Sequence, residues 1–212
     1  MVALTFDDGP DPRATPAVLQ ALRVAGAKAT FFVVAEQIEG PDGPALLRAI
    51  RDGGHVIQAH CARHISHRER SAEEIAGDAR AVLAALARHG VPAPRLWRPP
   101  YGHVNERHSC SVAANVGLQL VCWTHDTADY AGGSAADMLK AAKKFTIHNG
   151  SVILMHDSAR YAHRREHCQA TVDLIPRLVD HLRSDGHSLG QLVAPIAPRP
   201  ILATEEVLLP CE

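Results

Sequence analysis

Two adjacent carboxylates, Asp7 and Asp8, stand at the end of the first apolar run, in Thr5-Phe6-Asp7-Asp8-Gly9-Pro10. Successive strand side chains point to opposite faces. Both acids therefore reach one site only where the backbone turns, and Gly9-Pro10 is a turn-forming pair. Carboxylates pressed together can divide their labour, one holding a metal ion and the other taking a proton. Taken alone, the pair is equally an Asp-rich turn. His60 and His64, in His60-Cys61-Ala62-Arg63-His64, have the spacing that places two imidazoles on one face of a helical turn, within reach of one ion. The zinc-protease pattern carries a glutamate inside such a pair. Here that position is Cys61, so a base must come from elsewhere, and Asp7 is the obvious donor of that function. Fourteen histidines in the chain also make a lone pair at this spacing a ready coincidence.

Three further clusters carry related chemistry. In Arg98-Pro99-Pro100-Tyr101-Gly102 the prolines and glycine fix the backbone and leave N–H groups free to face an oxyanion, and Arg98 can hold a carboxylate bidentately and keep it ionised. A plain rigid loop reads the same way. Trp123-Thr124-His125-Asp126-Thr127-Ala128-Asp129-Tyr130 follows a strand-like stretch and offers an aromatic wall with a carboxylate to orient a neighbouring group; a polar loop is the simpler reading. Ser151 to Asp157 is a buried-looking strand ending in His156, and the carboxyl ends of strands are where α/β chains form their sites.

Taken together and in this order, TFDDGP, HxxxH, RPPYG and LMHD resemble the polysaccharide deacetylase family, the NodB-homology or carbohydrate esterase family 4 domain, from Thr5 to about Leu192. The resemblance implies an α/β fold, a distorted (β/α)7-type barrel, and metal-dependent hydrolytic removal of N-linked acetyl groups from an amino-sugar, an oligosaccharide or a small intracellular acetylated intermediate. An O-acetyl (xylan-type) esterase and a carbohydrate-binding pseudoenzyme are the alternatives. Matched position by position, Asp8, His60 and His64 are the metal ligands, for Zn²⁺ first and Co²⁺, Ni²⁺, Mn²⁺ or Fe²⁺ otherwise. Asp7 is the base, tethered by Arg98, and His156 the acid, oriented by Asp129. The Tyr101 backbone N–H faces the oxyanion, and Trp123 and Leu154 line the acetyl pocket. Two histidines and a carboxylate also make the facial triad of non-haem iron oxygenases, which have no need of Asp7 or His156.

The elements that must position these residues follow from pattern. Thr15-Pro16 reads as an N-cap with proline at the first helical position, ahead of a stripe of Val18, Leu19, Leu22 and Ala25 closed by Gly26. Residues 29–35 form a buried strand, and residues 43–52 a short helix closed by Gly53. Ser71 to Glu74 is a capping box opening a helix that ends at Gly90. Helices are expected over residues 105–116, 134–147 and about 166–184. Alternation of strands and helices indicates a mainly parallel sheet. The domain is expected over residues 1–192, with a proline-containing C-terminal tail over 193–212.

Departures from the family pattern include Ala59 and Cys61 around His60, and a thiol there would make a metal site sensitive to oxidation. The basic stretch 158–167 is expected to border the substrate and to favour an anionic or otherwise non-standard one, a solvated loop being the simpler reading. The formal net charge of −1 argues against nucleic-acid binding by bulk electrostatics. No run approaches the roughly 20 apolar residues of a membrane span. With the first strand at about Val2, no leader is expected and a cytoplasmic enzyme is, a secreted mature form being the alternative. Five scattered cysteines without CxxC spacing are expected to be reduced thiols.

Overall fold

The first apolar run becomes β1 (Val2–Asp7), buried at every position. In the computed structural model, which describes residues 1–193, it lies at the centre of the sheet; the expected tail falls outside the described residues from 194 on. After β1 come α1 (Thr15–Val24), β2 (Thr30–Val34), α2 (Ala35–Ile38), α3 (Gly43–Asp52), β3 (Val56–Cys61), α4 (Ala72–Arg88) and β4 (Leu96–Trp97). The chain continues through α5 (Ser109–Asn115), β5 (Gln119–Leu120), β6 (His125–Asp126), α6 (Ala135–Ala142), β7 (Val152–His156), α7 (Gln169–Ser184) and β8 (Leu189–Gly190). The strand order is β5-β4-β3-β2-β1-β7-β6, with β8 paired to the start of β1. Every strand pair is parallel.

The order itself requires curvature. β5 and β6 lie at opposite ends of the path yet are consecutive in the chain. The five residue steps from Leu120 to His125 span at most about 18 Å. Six interstrand spacings in a flat sheet would separate the edges by about 29 Å. The sheet therefore curls into an incomplete barrel, the expected distorted (β/α)7 type.

Curling gives the strands two unlike faces. Leu4, Phe6, Phe31, Val33, Ile57, Trp97, Ile153 and Met155 face outward and join Val18, Leu22, Leu47, Ile75, Leu86 and Leu174 of the helices in the main core. Each large apolar side chain buried there stabilises the fold by roughly 1.5–3 kcal/mol. Phe32, Leu96 and Val121, with Leu192 against them, form a small separate core. The alternation that sends Phe6, Trp97 and Met155 outward sends Asp7, Arg98 and His156 the other way, at the carboxyl ends of their strands.

Several boundaries differ from expectation for identifiable reasons. The Thr15 hydroxyl does not cap α1: it accepts the Asp11 N–H and donates to Asp157 Oδ2 at 2.6 Å. α5 starts at Ser109 rather than Asn105, because the Asn105 amide donates to the carbonyls of His67, Arg68 and Arg70 and its Oδ1 accepts the Arg107 N–H. α6 ends at Ala142. The Ser71–Glu74 capping box is present as expected. Cys61, Cys110 and Cys168 are free thiols, whereas Cys122 is disulfide-bonded, against the expectation.

Candidate active site

Asp7 is the last residue of β1 and Asp8 the first beyond it. The turn begins at Asp8 itself, whose φ of 77° is in the left-handed region that non-glycine residues seldom visit. Gly9 must follow, since a Cβ there would stand 2.2 Å from Asp157 Oδ2. Non-glycine residues with positive φ also include His64 (57°), Tyr101 (59°) and Ala128 (52°), each in the site or beside it. Strain of this kind, on the order of 1–3 kcal/mol each, persists where surrounding structure enforces it.

His60 and His64 do come together, but not on a helix. His60 lies on β3 and His64 in the loop beyond, turned inward by its own left-handed backbone. The Trp97-Arg98 segment grips His60 twice. The Trp97 indole N–H donates to the His60 carbonyl at 2.7 Å, and His60 Nδ1 lies 2.6 Å from the Arg98 carbonyl. Nδ1 therefore carries the hydrogen, and Nε2 turns a lone pair toward Asp8. The His64 ring sits between Tyr101, edge-on at 4.4 Å, and Tyr161, stacked at 4.3 Å.

Asp8 Oδ1 is 3.3 Å from His60 Nε2 and 3.0 Å from His64 Nε2, with all three residues buried. Asp8 Oδ1 and His60 Nε2 have no hydrogen-bond partner among the described residues. A buried lone pair facing a buried carboxylate oxygen is unfavourable unless a cation joins them. Asp8, His60 and His64 also offer ligand atoms that all lie within 4.8 Å of one another. One carboxylate and two imidazoles suit a divalent ion such as Zn²⁺, so the residues fit the metal they were expected to hold. Burial alone would raise the Asp8 carboxyl; where a proton takes a metal's place on the facing imidazoles, their hydrogen bonds outweigh burial and hold Asp8 far below the ordinary carboxylate range.

Arg98 is fully buried and does tether Asp7, through Nη1 to Oδ1 at 2.7 Å. The contact is single rather than bidentate, because the fork is divided: Nη1 also donates to Thr5 Oγ1, and Nη2 to the Cys122 carbonyl. The guanidinium lies over the Phe32 ring, 4.1 Å from its centroid. Cys122 belongs to the segment that crosses between the sheet edges, so closure of the barrel helps to position Asp7.

His156 ends β7 and is the direct register partner of Asp7 on β1. Its Nδ1 donates to Asp129 Oδ1 at 2.7 Å and its backbone N–H to Oδ2 at 2.9 Å, which leaves Nε2 as the ring's working atom. Burial opposes protonation of His156, but the charge and hydrogen bond of Asp129 prevail and raise it to about 9. Asp129 is itself lowered to about 2, with burial overcome by His156, Arg165 and Thr171.

A cavity of about 370 Å³ joins these groups, with Trp123, Leu154 and Tyr101 in its wall as expected. The basic stretch borders it through Tyr161, His163, Arg164 and Arg165. Tyr161, Arg165 and Thr171 were missed from sequence, where Arg165 resembled any other loop cation. The feared oxidation of Cys61 has no support, since burial raises its thiol well above the usual value and keeps it unreactive.

The family model described as polysaccharide deacetylase matches residues 1–121. A peptidoglycan-N-acetylglucosamine deacetylase of Bacillus cereus is 34% identical over 185 residues, covering 87% of this chain and 64% of the relative. The chain thus spans just under two thirds of that protein's length. A chitooligosaccharide deacetylase of Bradyrhizobium sp. (strain ANU 289) is 32% identical over 203 residues, covering 90% of each. Among solved structures, a family 4 carbohydrate esterase from Streptomyces lividans in complex with acetate is 32% identical and superposes with a TM-score of 0.76 over 93% of each chain.

Proposed function

Because the chain belongs to the polysaccharide deacetylase family, we propose that it hydrolyses N-linked acetyl groups of an amino-sugar or amino-sugar oligosaccharide. The observation that carries this is the pairing of Asp7 with His156 on neighbouring strands, in direct register, beside Asp8, His60 and His64. A base and an acid then line one cavity together with the metal-ligating cluster. The names of the Bacillus and Bradyrhizobium relatives support an amino-sugar substrate.

Asp8, His60 and His64 would hold a divalent cation, Zn²⁺ foremost, and such an ion would supply polarisation of the acetyl carbonyl and a lowered pKa of a nearby water. Asp7, fixed by Arg98, takes the proton of the attacking water. The Tyr101 backbone N–H donates to the oxyanion, a contact typically worth about 3 kcal/mol. Trp123 and Leu154 enclose the acetyl methyl. His156, charged at neutral pH, gives its Nε2 proton to the departing amine while Asp129 holds the ring.

The test is acetate release from chitooligosaccharides, monomeric N-acetyl amino-sugars, acetylated xylan and acetylated small amines, with chelator or with added Zn²⁺ or Co²⁺. Metal-dependent release from N-acetyl compounds is expected. Release from acetylated xylan alone would replace this reading with an O-acetyl esterase, the alternative for which the likeness to the Streptomyces esterase speaks. Saccharide binding without turnover would make the chain a pseudoenzyme.

A further inference from the structure

The Asp129 carboxylate is buried and faces two cations. Oδ1 takes the His156 ring; Oδ2 accepts the His156 N–H, the Thr171 hydroxyl at 2.7 Å and Arg165 Nη1 at 3.1 Å. The Arg165 guanidinium is largely buried too. Nη1 also donates to the Asp129 carbonyl and to Thr171 Oγ1, and Nη2 to the Ser158 carbonyl at 3.0 Å. Arg165 leaves the basic stretch and turns inward, whereas its neighbour Arg160 pairs with Glu36 at the surface.

We infer that Arg165 is a positioning residue for the reaction proposed above: it balances Asp129 so that His156 can part with its proton. In the donating step the His156 Nε2–H bond breaks and an N–H bond forms on the leaving amine, so His156 becomes neutral. Without Arg165 the Asp129 carboxylate would then be a buried anion without a countercharge, which is costly, and the ring would hold its proton. With Arg165 the Asp129–Arg165 pair stays neutral after the proton has gone. Of the other charged groups near His156, the carboxylates of Asp7, Asp8 and Asp126 strengthen proton retention, while Arg98 is paired with Asp7 and Arg164 lines the same cavity. Arg165 is the cation that opposes them from the Asp129 side.

The experiment compares Arg165→Gln, which keeps donors but not charge, and Arg165→Lys, which keeps charge, in the zinc-loaded chain. Two substrates are used: the N-acetyl oligosaccharide that the wild type cleaves, and 4-nitrophenyl acetate, whose phenolate leaves without needing a proton. Arg165→Gln is expected to lower kcat on the N-acetyl substrate by about ten- to a hundredfold, with KM unchanged and aryl acetate hydrolysis preserved. Arg165→Lys should recover most of the loss. If Arg165→Gln does not fold, Thr171→Val, which removes one donor to Asp129, must show the same substrate-selective loss at smaller size. Equal losses on both substrates, as a merely structural role would give, or no loss on either, overturns the inference. A wild type that cleaves the aryl acetate but no N-acetyl compound overturns the deacetylase reading instead.

Discussion

The two halves of the site are built on opposite principles. On the β1–β3 side, Asp8 Oδ1, His60 Nε2 and His64 Nδ1 are buried without hydrogen-bond partners among the described residues, and two of the residues sit in left-handed backbone. On the β7 side, the Asp129 carboxylate has a donor for every contact it makes and the backbone of His156 is an ordinary strand. The first half gathers unpartnered ligand atoms at one point; in the second the Asp129 carboxylate is satisfied and its charge balanced, although Ala128 before it is also left-handed and Asp157 Oδ1 and Arg165 Nε lack partners among the described residues. A cluster of converging ligand atoms should respond to metal, and a carboxylate enclosed by donors should respond to proton and charge.

The largest expected effect breaks the metal-ligating half. Asp8→Ala should abolish metal binding and acetate release together. Zn²⁺ at a hundredfold over its dissociation constant should stabilise the wild type by about 2.7 kcal/mol and raise Tm by roughly 5–10 °C for a domain of this size. Asp8→Ala should show no such rise, whereas Asp129→Asn should show all of it. A Tm response lost equally in both variants would mean that the halves are not separable.

Next in size is Asp7→Asn, which keeps the shape of the residue but removes the base. Turnover should fall by about 10²- to 10⁴-fold with zinc still bound, read by metal analysis beside acetate release. An active Asp7→Asn would put the base elsewhere.

Asp129→Asn sharpens the other half. With His156 raised to about 9, activity that needs its proton should persist to about pH 9 and fall above. The amide removes the charge that causes the shift, so the alkaline limb should retreat toward the ordinary imidazole value of about 6.5, with a loss on the order of tenfold or more at pH 8. Stability follows the same linkage. A histidine raised in the folded state adds stability that is full below about pH 6.5 and lost as the pH rises through about 9. The wild type should therefore lose more Tm than Asp129→Asn between those limits. An unmoved limb would detach Asp129 from His156.

The halves also differ in how far sequence revealed them. Asp7, Asp8, His60, Arg98 and His156 were legible because strand alternation and adjacent turns place them by local rules. His64 was found for an incomplete reason: the i, i+4 spacing suggested a helical turn, but the pair is a strand end and a left-handed loop, and tolerance of that backbone leaves no mark in spacing. Arg165 was invisible. It meets Asp129 across 36 residues, beside Thr171 of α7, which bonds both, and a basic stretch offers no sign of which cation turns inward. The fold class was legible from alternating strands and helices, while the closure between β5 and β6 depends on a strand order that only pairing reveals.

The smallest expected effect concerns the thiols, where the two halves should behave alike. Burial pushes Cys61, beside the metal ligands, well up, and Cys168, at the start of α7, up to about 12; the third free thiol, Cys110, is exposed. Thiolate is the reactive form, so neutral iodoacetamide should label Cys110 first and leave turnover unchanged, as peptide mass mapping and acetate release would show. Cys61 accepts the His64 N–H through its sulfur at 3.2 Å, and alkylation there would force that loop open. Early labelling of Cys61 with loss of metal would mean that the metal-ligating half opens in solution while the other stays shut. That outcome would extend the contrast from electrostatics to dynamics.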